Sequence, residues 1–322
     1  MRVRAVFVYL AKALALVAFI YATTYFVHRP FTAAPVAERF ERVALRGVHQ
    51  NFDARGVDNQ TCTARRIETP THRYLENTIE SIAAAHDYGA DRVEIDIHLS
   101  ADGHLVVFHD WTLECRTDGT GDTRSKTLAE LKALDIGYGY SADGSQSFPF
   151  RGDFVAALPS LSEVLVRLPH VALLVDQKDR SAATTRALAK LLEQHPGAVE
   201  QVCLMAVAKR TEQFRRLLPD ACTVDTASTI KSCLLDYLAR PWSRSVPDSC
   251  ARRNLVIPDS PAAALLWGWP GTFVERMHSA GSKVFVISDD PQRAAALAAR
   301  GFDGIWTRRI EAWSEADEAG AD

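Results

Sequence analysis

Residues 93–98 of the chain read Val93-Glu-Ile-Asp-Ile-His98, with aliphatic and polar side chains in strict alternation. Successive side chains of a β-strand point to opposite faces, so Glu94, Asp96 and His98 share one face. After the tight-turn dipeptide Asp102-Gly103, a second apolar run returns towards the same end of this strand. The segment therefore predicts a strand that carries two neighbouring carboxylates beside a hairpin.

Outside this segment, short apolar runs alternate with amphipathic stretches. Several runs are unbroken, which is typical of parallel strands covered on both faces. If 104–108 is an excursion after the second strand, eight strand–helix units remain, and eight units in about 280 residues predict an α/β fold of the (β/α)8 TIM-barrel type. A doubly wound open sheet is the alternative, although no G-x-G-x-x-G follows an early strand. The predicted strands are Arg42–Leu45, Arg92–Ile97, His104–Phe108, Ala172–Val175, Gln201–Met205, Cys222–Val224, Asn254–Ile257, Lys283–Ile287 and Gly304–Trp306, and the predicted helices cover 77–88, 127–134, 160–168, 181–194, 209–217, 228–238, 262–279 and 290–300.

The composition is that of a folded protein with no affinity for nucleic acid. Of the 322 residues, 47% are hydrophobic and 24% are charged, which supplies a packed core and excludes a disordered chain. The formal net charge of −3 lacks the concentrated positive charge that binds a phosphate backbone. We predict an N-terminal segment over 1–30, one barrel domain over 40–310 and an acidic tail over 311–322.

An apolar stretch from Ala5 to Val27, interrupted only by Lys12, begins the chain. As a helix it is long enough to cross the roughly 30 Å core of a bilayer, and it predicts an N-terminal transmembrane helix that makes the membrane a partner. A cleaved signal peptide is the alternative, because Thr32-Ala33-Ala34 is a small-residue cleavage site. Either interpretation places the rest of the chain on the periplasmic or extracellular side, anchored in the first case and secreted in the second.

The six cysteines agree with an exported chain, because disulfides persist outside the cytosol. We predict the pairs Cys62–Cys115 and Cys233–Cys250. Cys203 lies within the apolar run Val202–Met205, where a buried thiol is the default expectation. The polar segment 51–74 is either a solvated loop or a lid over the mouth of the barrel.

The carboxylates of Glu94 and Asp96 predict a metal site. Two carboxylates inside a barrel repel each other and lose hydration, and a cation between them relieves both costs. Oxygen ligands favour Mg²⁺ or Ca²⁺; a pair of exposed carboxylates on an edge strand is the alternative. His109 ends the apolar run that returns to the same rim, so it is a candidate general acid or base.

At these positions the sequence resembles the glycerophosphodiester phosphodiesterase family. Such enzymes are TIM barrels that use one divalent cation and two histidines to hydrolyse a phosphodiester carrying a glycerol group. The resemblance covers nearly all of residues 42–310 and is most specific over 76–121. The matching stretches are Glu76-Asn-Thr78, Val93-Glu-Ile-Asp96, Asp102-Gly-His-Leu-Val-Val-Phe-His-Asp110 with Leu113 and Arg116-Thr117, Leu174-Val-Asp-Gln-Lys178 and Gly301-Phe-Asp-Gly-Ile-Trp-Thr307.

The resemblance implies roles for individual residues. Glu94, Asp96 and Asp176 become metal ligands, His109 becomes one of the two histidines, and Lys178 occupies the position of a phosphate-facing lysine. Together with the divalent cation and Lys178, the guanidinium group of Arg46 would offset the negative charge of the phosphoryl oxygens.

The chain departs from the family pattern at two positions. Its first strand ends in Leu45-Arg46-Gly47 where the family has His-Arg-Gly, and a leucine cannot move a proton. Asp176 stands where the family usually has glutamate. We take His49 as the candidate for the second histidine, because the turn at Gly47 can fold it back over the cation; a surface loop histidine is the alternative.

The predicted activity is that of a phosphoric diester hydrolase, a metal-dependent enzyme that cleaves glycerophosphodiesters or lysophospholipids to an alcohol and a phosphomonoester. Two other functions stay open. Leu45 favours a catalytically weak or silent barrel that binds phospholipid head groups. The same scaffold could also act as a phospholipase D-type lyase, in which a substrate hydroxyl displaces the leaving group and forms a cyclic phosphate.

Overall fold

The computed structural model describes residues 2–27, 39–58, 61–195, 197–225, 227–240 and 245–313. In this part of the chain, strands and helices alternate as the sequence predicts. The strands are β1 Glu41–Leu45, β2 Arg92–Leu99, β3 Leu105–Val107, β4 Leu173–Gln177, β5 Val202–Ala206, β6 Cys222–Asp225, β7 Asn254–Pro258, β8 Lys283–Ile287 and β9 Gly304–Thr307. The α-helices are α1 Arg2–Val27, α2 Ile79–Asp87, α3 Leu128–Lys132, α4 Leu161–Arg167, α5 Ala182–Gln194, α6 Ala198–Gln201, α7 Ala208–Leu217, α8 Ala227–Leu238, α9 Gly271–Ser279 and α10 Ala294–Ala298.

The chain divides into two compact units. The larger unit comprises residues 41–226, 287–294 and 304–322, and its strands follow the order β6-β5-β4-β2-β1-β9 with parallel pairing throughout. The smaller unit comprises 1–40, 227–286 and 295–303, and in it β7 and β8 are neighbours.

Eight of the described strands, all except β3, are those of a nearly closed parallel barrel of the TIM type. The predicted (β/α)8 fold class is therefore confirmed. Strand β3 pairs with β2 in the antiparallel sense, with Ile97 opposite Val107. It is the excursion that the turn at Asp102-Gly103 predicted, and Gly103 takes a φ of +85°, which glycine adopts without strain.

The alternation of apolar and polar residues explains why these elements form. The aliphatic side chains of β2 at Val93, Ile95 and Ile97 are fully buried, and each such residue stabilises the fold by about 1.5–3 kcal/mol. Helices α3 and α4 begin at capping boxes, in which Thr127 and Ser160 accept from the backbone of a glutamate three residues later.

One predicted helix is wrong. The stretch 262–279 is not continuous, because residues 266–270, which end in Pro270, separate a 3₁₀ turn at Pro261–Leu265 from helix α9. Proline has no backbone N–H to donate to the preceding turn, so the helical hydrogen bonding stops there.

Helix α1 covers the segment that was predicted to cross the membrane. Among the described residues, no helix combines the length and the apolar character that a bilayer crossing requires. The predicted transmembrane helix is therefore unsupported by the structure. The alternative cleavage site Thr32-Ala33-Ala34, and the predicted acidic tail beyond Trp313, lie outside the described residues.

Three disulfides join Cys62 to Cys115, Cys203 to Cys222 and Cys233 to Cys250. Two of these are the predicted pairs. The expectation that Cys203 is a buried thiol is wrong, because Cys203 and Cys222 are register partners on the neighbouring strands β5 and β6, with their Cα atoms 4.5 Å apart. Two cysteines so placed are within bridging distance.

Candidate active site

Three carboxylates from the neighbouring strands β2 and β4 meet in the larger unit. Glu94 and Asp96 lie on β2, and Asp96 is the register partner of Asp176 on β4. Each residue offers an oxygen atom, and these three atoms lie within 4.8 Å of one another. Glu94 and Asp96 are buried and Asp176 is half-buried. Oxygen atoms in this arrangement can serve as ligands of a hard divalent cation.

The electrostatics of the cluster indicate a shortage of positive charge. Burial raises the pKa of the Glu94 carboxyl well above its ordinary value, and the charges of Asp96 and Asp176 raise it further. Burial also raises the pKa of Asp176. Burial opposes ionisation of Asp96 too, but Lys178 and other neighbours hold the pKa of that carboxyl well below its usual range. The three carboxylates cannot all be ionised at low cost without a further cation.

Two basic side chains reach the cluster. The Nζ atom of Lys178 lies 3.2 Å from Asp96 Oδ1 and 3.2 Å from Asp176 Oδ2. The Nε atom of Arg46 lies 3.4 Å from Asp96 Oδ2, and the backbone N–H of Arg46 donates to Glu94 Oε2 at 2.9 Å. Arg46 has a left-handed backbone with a φ of 59°, which turns the chain sharply at the end of β1.

A hydrogen bond followed by a chain of ion pairs connects the predicted catalytic histidine to Arg46. His109 Nδ1 lies 2.6 Å from Asp110 Oδ1, and Asp110 Oδ2 accepts from Arg116 Nη1 at 3.0 Å. Arg116 Nη2 donates to Glu76 Oε1 at 3.1 Å, and the same oxygen accepts from Arg46 Nη1 at 3.1 Å. Burial would raise the pKa of Glu76, but Arg116 and Arg46 lower it to about 2. Glu76 is therefore ionised and holds both guanidinium groups.

Asn77 fixes the position of Asp96. Its Nδ2 donates to Asp96 Oδ2 at 2.9 Å, and its Oδ1 accepts from the backbone N–H of Asp96 at 3.0 Å. Its backbone is left-handed, with a φ of 61°. Both polar atoms of the amide are thus committed to one residue, which keeps the carboxylate of Asp96 aimed at the cluster.

His49 lies in a different environment from the one expected of a loop residue. It is 3% exposed, so the surface alternative is wrong. Its Nδ1 lies 2.9 Å from the Gln50 carbonyl oxygen, and its ring stacks on Phe52. Burial lowers the pKa of the His49 imidazole, although Glu76 acts in the opposite direction. Among the described residues, His49 makes no direct contact with Glu94, Asp96 or Asp176.

Leu45 occupies a position beside the cluster. It is the last residue of β1 and the register partner of Glu94. A titratable side chain at this position would stand next to the carboxylates, whereas leucine supplies only apolar surface. His49 lies four residues further along the chain. Position 45, and not position 49, is in register with Glu94.

Five of the seven site residues predicted from the sequence are in direct contact in the structure. Four further residues of the network were not predicted to have a role. Arg46, Glu94, Asp96, Asp176 and Lys178 form one contact group. The missed residues are Glu76, Asn77, Asp110 and Arg116. Their signal was present, since all four lie in the stretches that carry the resemblance, but each acts through a partner distant in sequence.

The residues present fit a divalent cation. Among the described residues joined in this network, five carboxylates (Glu76, Glu94, Asp96, Asp110 and Asp176) face three basic side chains (Arg46, Arg116 and Lys178). Besides burial, the negative charges of Asp96 and Asp176 raise the pKa of Glu94. A divalent cation between Glu94, Asp96 and Asp176 would balance this charge.

Comparisons with known proteins agree with this arrangement. Residues 70–312 match the model of the glycerophosphoryl diester phosphodiesterase family. A glycerophosphodiester phosphodiesterase from Bacillus subtilis is 36% identical over 110 residues, which cover 32% of this chain and 36% of that protein. One from Caldanaerobacter subterraneus is 48% identical over 62 residues, which cover 19% of this chain and 26% of that protein. The matched segments thus span only part of these relatives.

Solved structures share the fold over most of both chains. A glycerophosphoryl diester phosphodiesterase domain from Mycobacterium tuberculosis superposes with a TM-score of 0.64 at 18% identity, covering 87% of this chain and 100% of that chain. A phosphodiesterase from Oleispira antarctica, solved with the product sn-glycerol-3-phosphate, gives a TM-score of 0.59 at 22% identity, covering 88% of this chain and 97% of that chain.

The lowered pKa of Glu76 predicts a stability change in acid. A carboxyl whose pKa is depressed in the folded state stabilises the fold above its unfolded pKa, and this contribution is lost as the pH falls towards the folded value. With the pKa of Glu76 lowered from 4.5 to about 2, the wild type should lose about 2 kcal/mol relative to Glu76→Gln between about pH 5 and pH 3. Urea unfolding of both proteins at each pH measures the difference, and parallel pH profiles would contradict the ion-pair assignment.

Proposed function

Because the chain belongs to the glycerophosphoryl diester phosphodiesterase family, we propose that it hydrolyses glycerophosphodiesters to an alcohol and a phosphomonoester with one divalent cation. The observation that carries the proposal is the cluster of Glu94, Asp96 and Asp176, with Arg46 and Lys178 against it. These carboxylates hold the cation, and Mg²⁺ and Ca²⁺ both suit the ligand set. When bound, the cation polarises the phosphoryl group and offsets its negative charge.

Arg46 and Lys178 stabilise the charge that builds on the phosphoryl oxygens. Both groups are cationic at neutral pH, since their pKa values are raised by nearby carboxylates despite burial. Positive groups fixed in a site from which water is largely excluded stabilise developing negative charge more than they would in water. Their contacts with Asp96 keep them in place before substrate arrives.

His109 is the proposed general acid or base. Its Nδ1 faces the Asp110 carboxylate, so the proton of the neutral ring resides on Nδ1 and the lone pair of Nε2 is available. That atom can accept a proton from the attacking water, or return one to the departing alkoxide. Arg116 holds the second Asp110 oxygen and prevents the carboxylate from turning away.

His49 is the proposed partner of His109. Burial lowers its pKa, so the imidazole is neutral near physiological pH. With Nδ1 against the Gln50 carbonyl, Nε2 carries the lone pair. A neutral imidazole of this kind can accept a proton. His49 would thereby replace the histidine that the family has where this chain has Leu45.

The His109–Asp110 pair and the complete carboxylate cluster favour catalysis over a silent head-group-binding barrel. Lysophospholipids contain the same glycerol phosphodiester and form the second proposed substrate class. Phosphorus NMR of products from glycerophosphocholine and lysophosphatidylcholine, with Mg²⁺, with Ca²⁺ and with a chelator, tests the proposal. A phosphomonoester is expected; a cyclic phosphate would indicate the lyase, and no turnover with either cation would favour the silent barrel.

We propose that the catalytic unit works outside the cytosol. The three disulfides support this location, because such bonds persist in oxidising compartments. The apolar stretch Ala5–Val27 would serve there as an export signal.

Asp96→Asn should nearly abolish cation binding and lower turnover by at least about 10²-fold, because a neutral amide is a weaker ligand for a hard cation. Calorimetric titration with Mg²⁺ and Ca²⁺, together with the assay above, measures both effects. Glu212→Gln, at an exposed glutamate on α7, is the matched control and should behave as wild type. Full activity of chelator-treated wild type would contradict the role of the cation.

His49→Ala should lower kcat by a factor of about 10²–10⁴, the usual span for a general acid or base. His195→Ala is the control, at a half-buried histidine beyond α5 whose ring contacts Ser162. If His49 fills the role, Leu45→His should add little activity. A neutral His49→Ala combined with a faster Leu45→His would instead show that the first histidine is simply missing.

The proposed location predicts three cross-links in the protein recovered from the exported fraction. Peptide mapping without reduction should find Cys62–Cys115, Cys203–Cys222 and Cys233–Cys250. Recovery of the protein from the cytosol with six free thiols would refute the proposal.

A further inference from the structure

The segment of residues 61–74, here called the strap loop, is fixed to the larger unit at both ends. Gln50 Nε2 donates to the carbonyl oxygens of His72 at 3.0 Å and Tyr74 at 2.8 Å. At the other end, Cys62 is bonded to Cys115 in the loop that follows His109. The inner residues of the strap loop pack into a small apolar cluster formed by Ala64, Ile67, Leu75, Tyr140 and Phe150. The strap loop is therefore part of the packed structure.

The strap loop touches the charged network at Arg116. Thr63 Oγ1 accepts from Arg116 Nη2 at 2.9 Å, and Cys115 Sγ lies 3.3 Å from Arg116 Nη1. The same two nitrogens donate to Glu76 and Asp110. Arg116 is 2% exposed, so no bulk water replaces a contact that is lost.

The geometry of a guanidinium group makes these contacts interdependent. Its donors lie in one plane with fixed directions, so a rotation that loses one acceptor misaligns the others. Nη1 contacts both the disulfide sulfur of Cys115 and Asp110, and Nη2 contacts both Thr63 and Glu76. Each terminal nitrogen therefore joins the strap loop or its disulfide to a carboxylate of the network. The strap loop can therefore set the orientation from which Arg116 holds Asp110.

We propose that the strap loop, clamped by the Cys62–Cys115 disulfide, is a positioning element of the active site. Thr63 orients Arg116, Arg116 orients Asp110, and Asp110 orients the His109 imidazole. Thr63 and Arg116 are thus positioning residues for the proton transfer. The inference rests on the proposed function for its kinetic consequence and on the structure alone for its effect on His109.

Thr63→Val keeps the shape of the side chain and removes the acceptor, whereas Thr63→Ser keeps the acceptor. Loss of one hydrogen bond to a buried charged donor should lower kcat about tenfold in Thr63→Val, with KM nearly unchanged, and Thr63→Ser should restore kcat. The double variant Cys62→Ser/Cys115→Ser should also lower kcat. Cys233→Ser/Cys250→Ser, in the smaller unit, is the control and should keep the wild-type kcat below its unfolding transition.

A second measurement does not depend on turnover. The proton on His109 Nδ1, held 2.6 Å from Asp110, should give a downfield imidazole resonance in the proton NMR spectrum of the wild type. The resonance should broaden or shift in Thr63→Val and in Cys62→Ser/Cys115→Ser, and persist in Thr63→Ser and in the control. His109→Gln assigns it.

The two measurements separate failure of the inference from failure of the proposed function. An active wild type whose kcat and resonance are both unchanged in Thr63→Val overturns the inference and leaves the function intact. An inactive wild type whose resonance responds to Thr63→Val overturns the function and supports the positioning role. If the double cysteine variant does not fold, Thr63→Val and Thr63→Ser alone decide.

Discussion

Mutual repulsion among buried carboxylates is the constraint on which the rest of the site depends. Parallel pairing of β2 and β4 places Asp96 in register with Asp176. Glu94 lies two residues before Asp96 on β2, on the same face of the strand. Burial strengthens the repulsion, because low polarity weakens screening. Lys178 and Arg46 approach the cluster directly and offset part of this repulsion. Burial, together with the charges of Asp96 and Asp176, still raises the pKa of Glu94. In the proposed enzyme, a divalent cation would complete the charge balance.

The ion pairs beyond the cluster extend the same balance outward. One oxygen of Glu76 accepts hydrogen bonds from both Arg46 and Arg116. A movement of Arg116 therefore disturbs the hydrogen bonds of Arg46 and of Asp110. Such a network is rigid only while every member is satisfied. The hydrogen bonds therefore link the residues proposed to bind phosphate with the residues proposed to move protons, so a change in one group alters the other.

The sequence predicted the strands well because each is a short apolar run with its own turn signals; β8, for example, coincides with its predicted bounds. It also predicted Glu94 and Asp96, since a period of two is a local property. It could not predict that Thr63 would meet Arg116, 53 residues away, because no local pattern encodes a contact across loops. For the same reason it missed the pairing of Cys203 with Cys222, which depends on strand register. The environment of His49 was missed because burial of a loop depends on what packs over it.

The hydrogen bonds of Asn77 restrict which residues can occur at this position. The site requires a left-handed backbone, one donor and one acceptor within reach of the next strand. Aspartate would bring a fourth negative charge to the cluster, and glycine would leave both hydrogen-bonding atoms of Asp96 without their partner. Glutamine adopts the left-handed backbone conformation less readily than asparagine. Asparagine meets all three requirements together. Position 77 should therefore be nearly intolerant of mutation in any descendant of this chain that retains the site, even though its side chain need never touch the substrate.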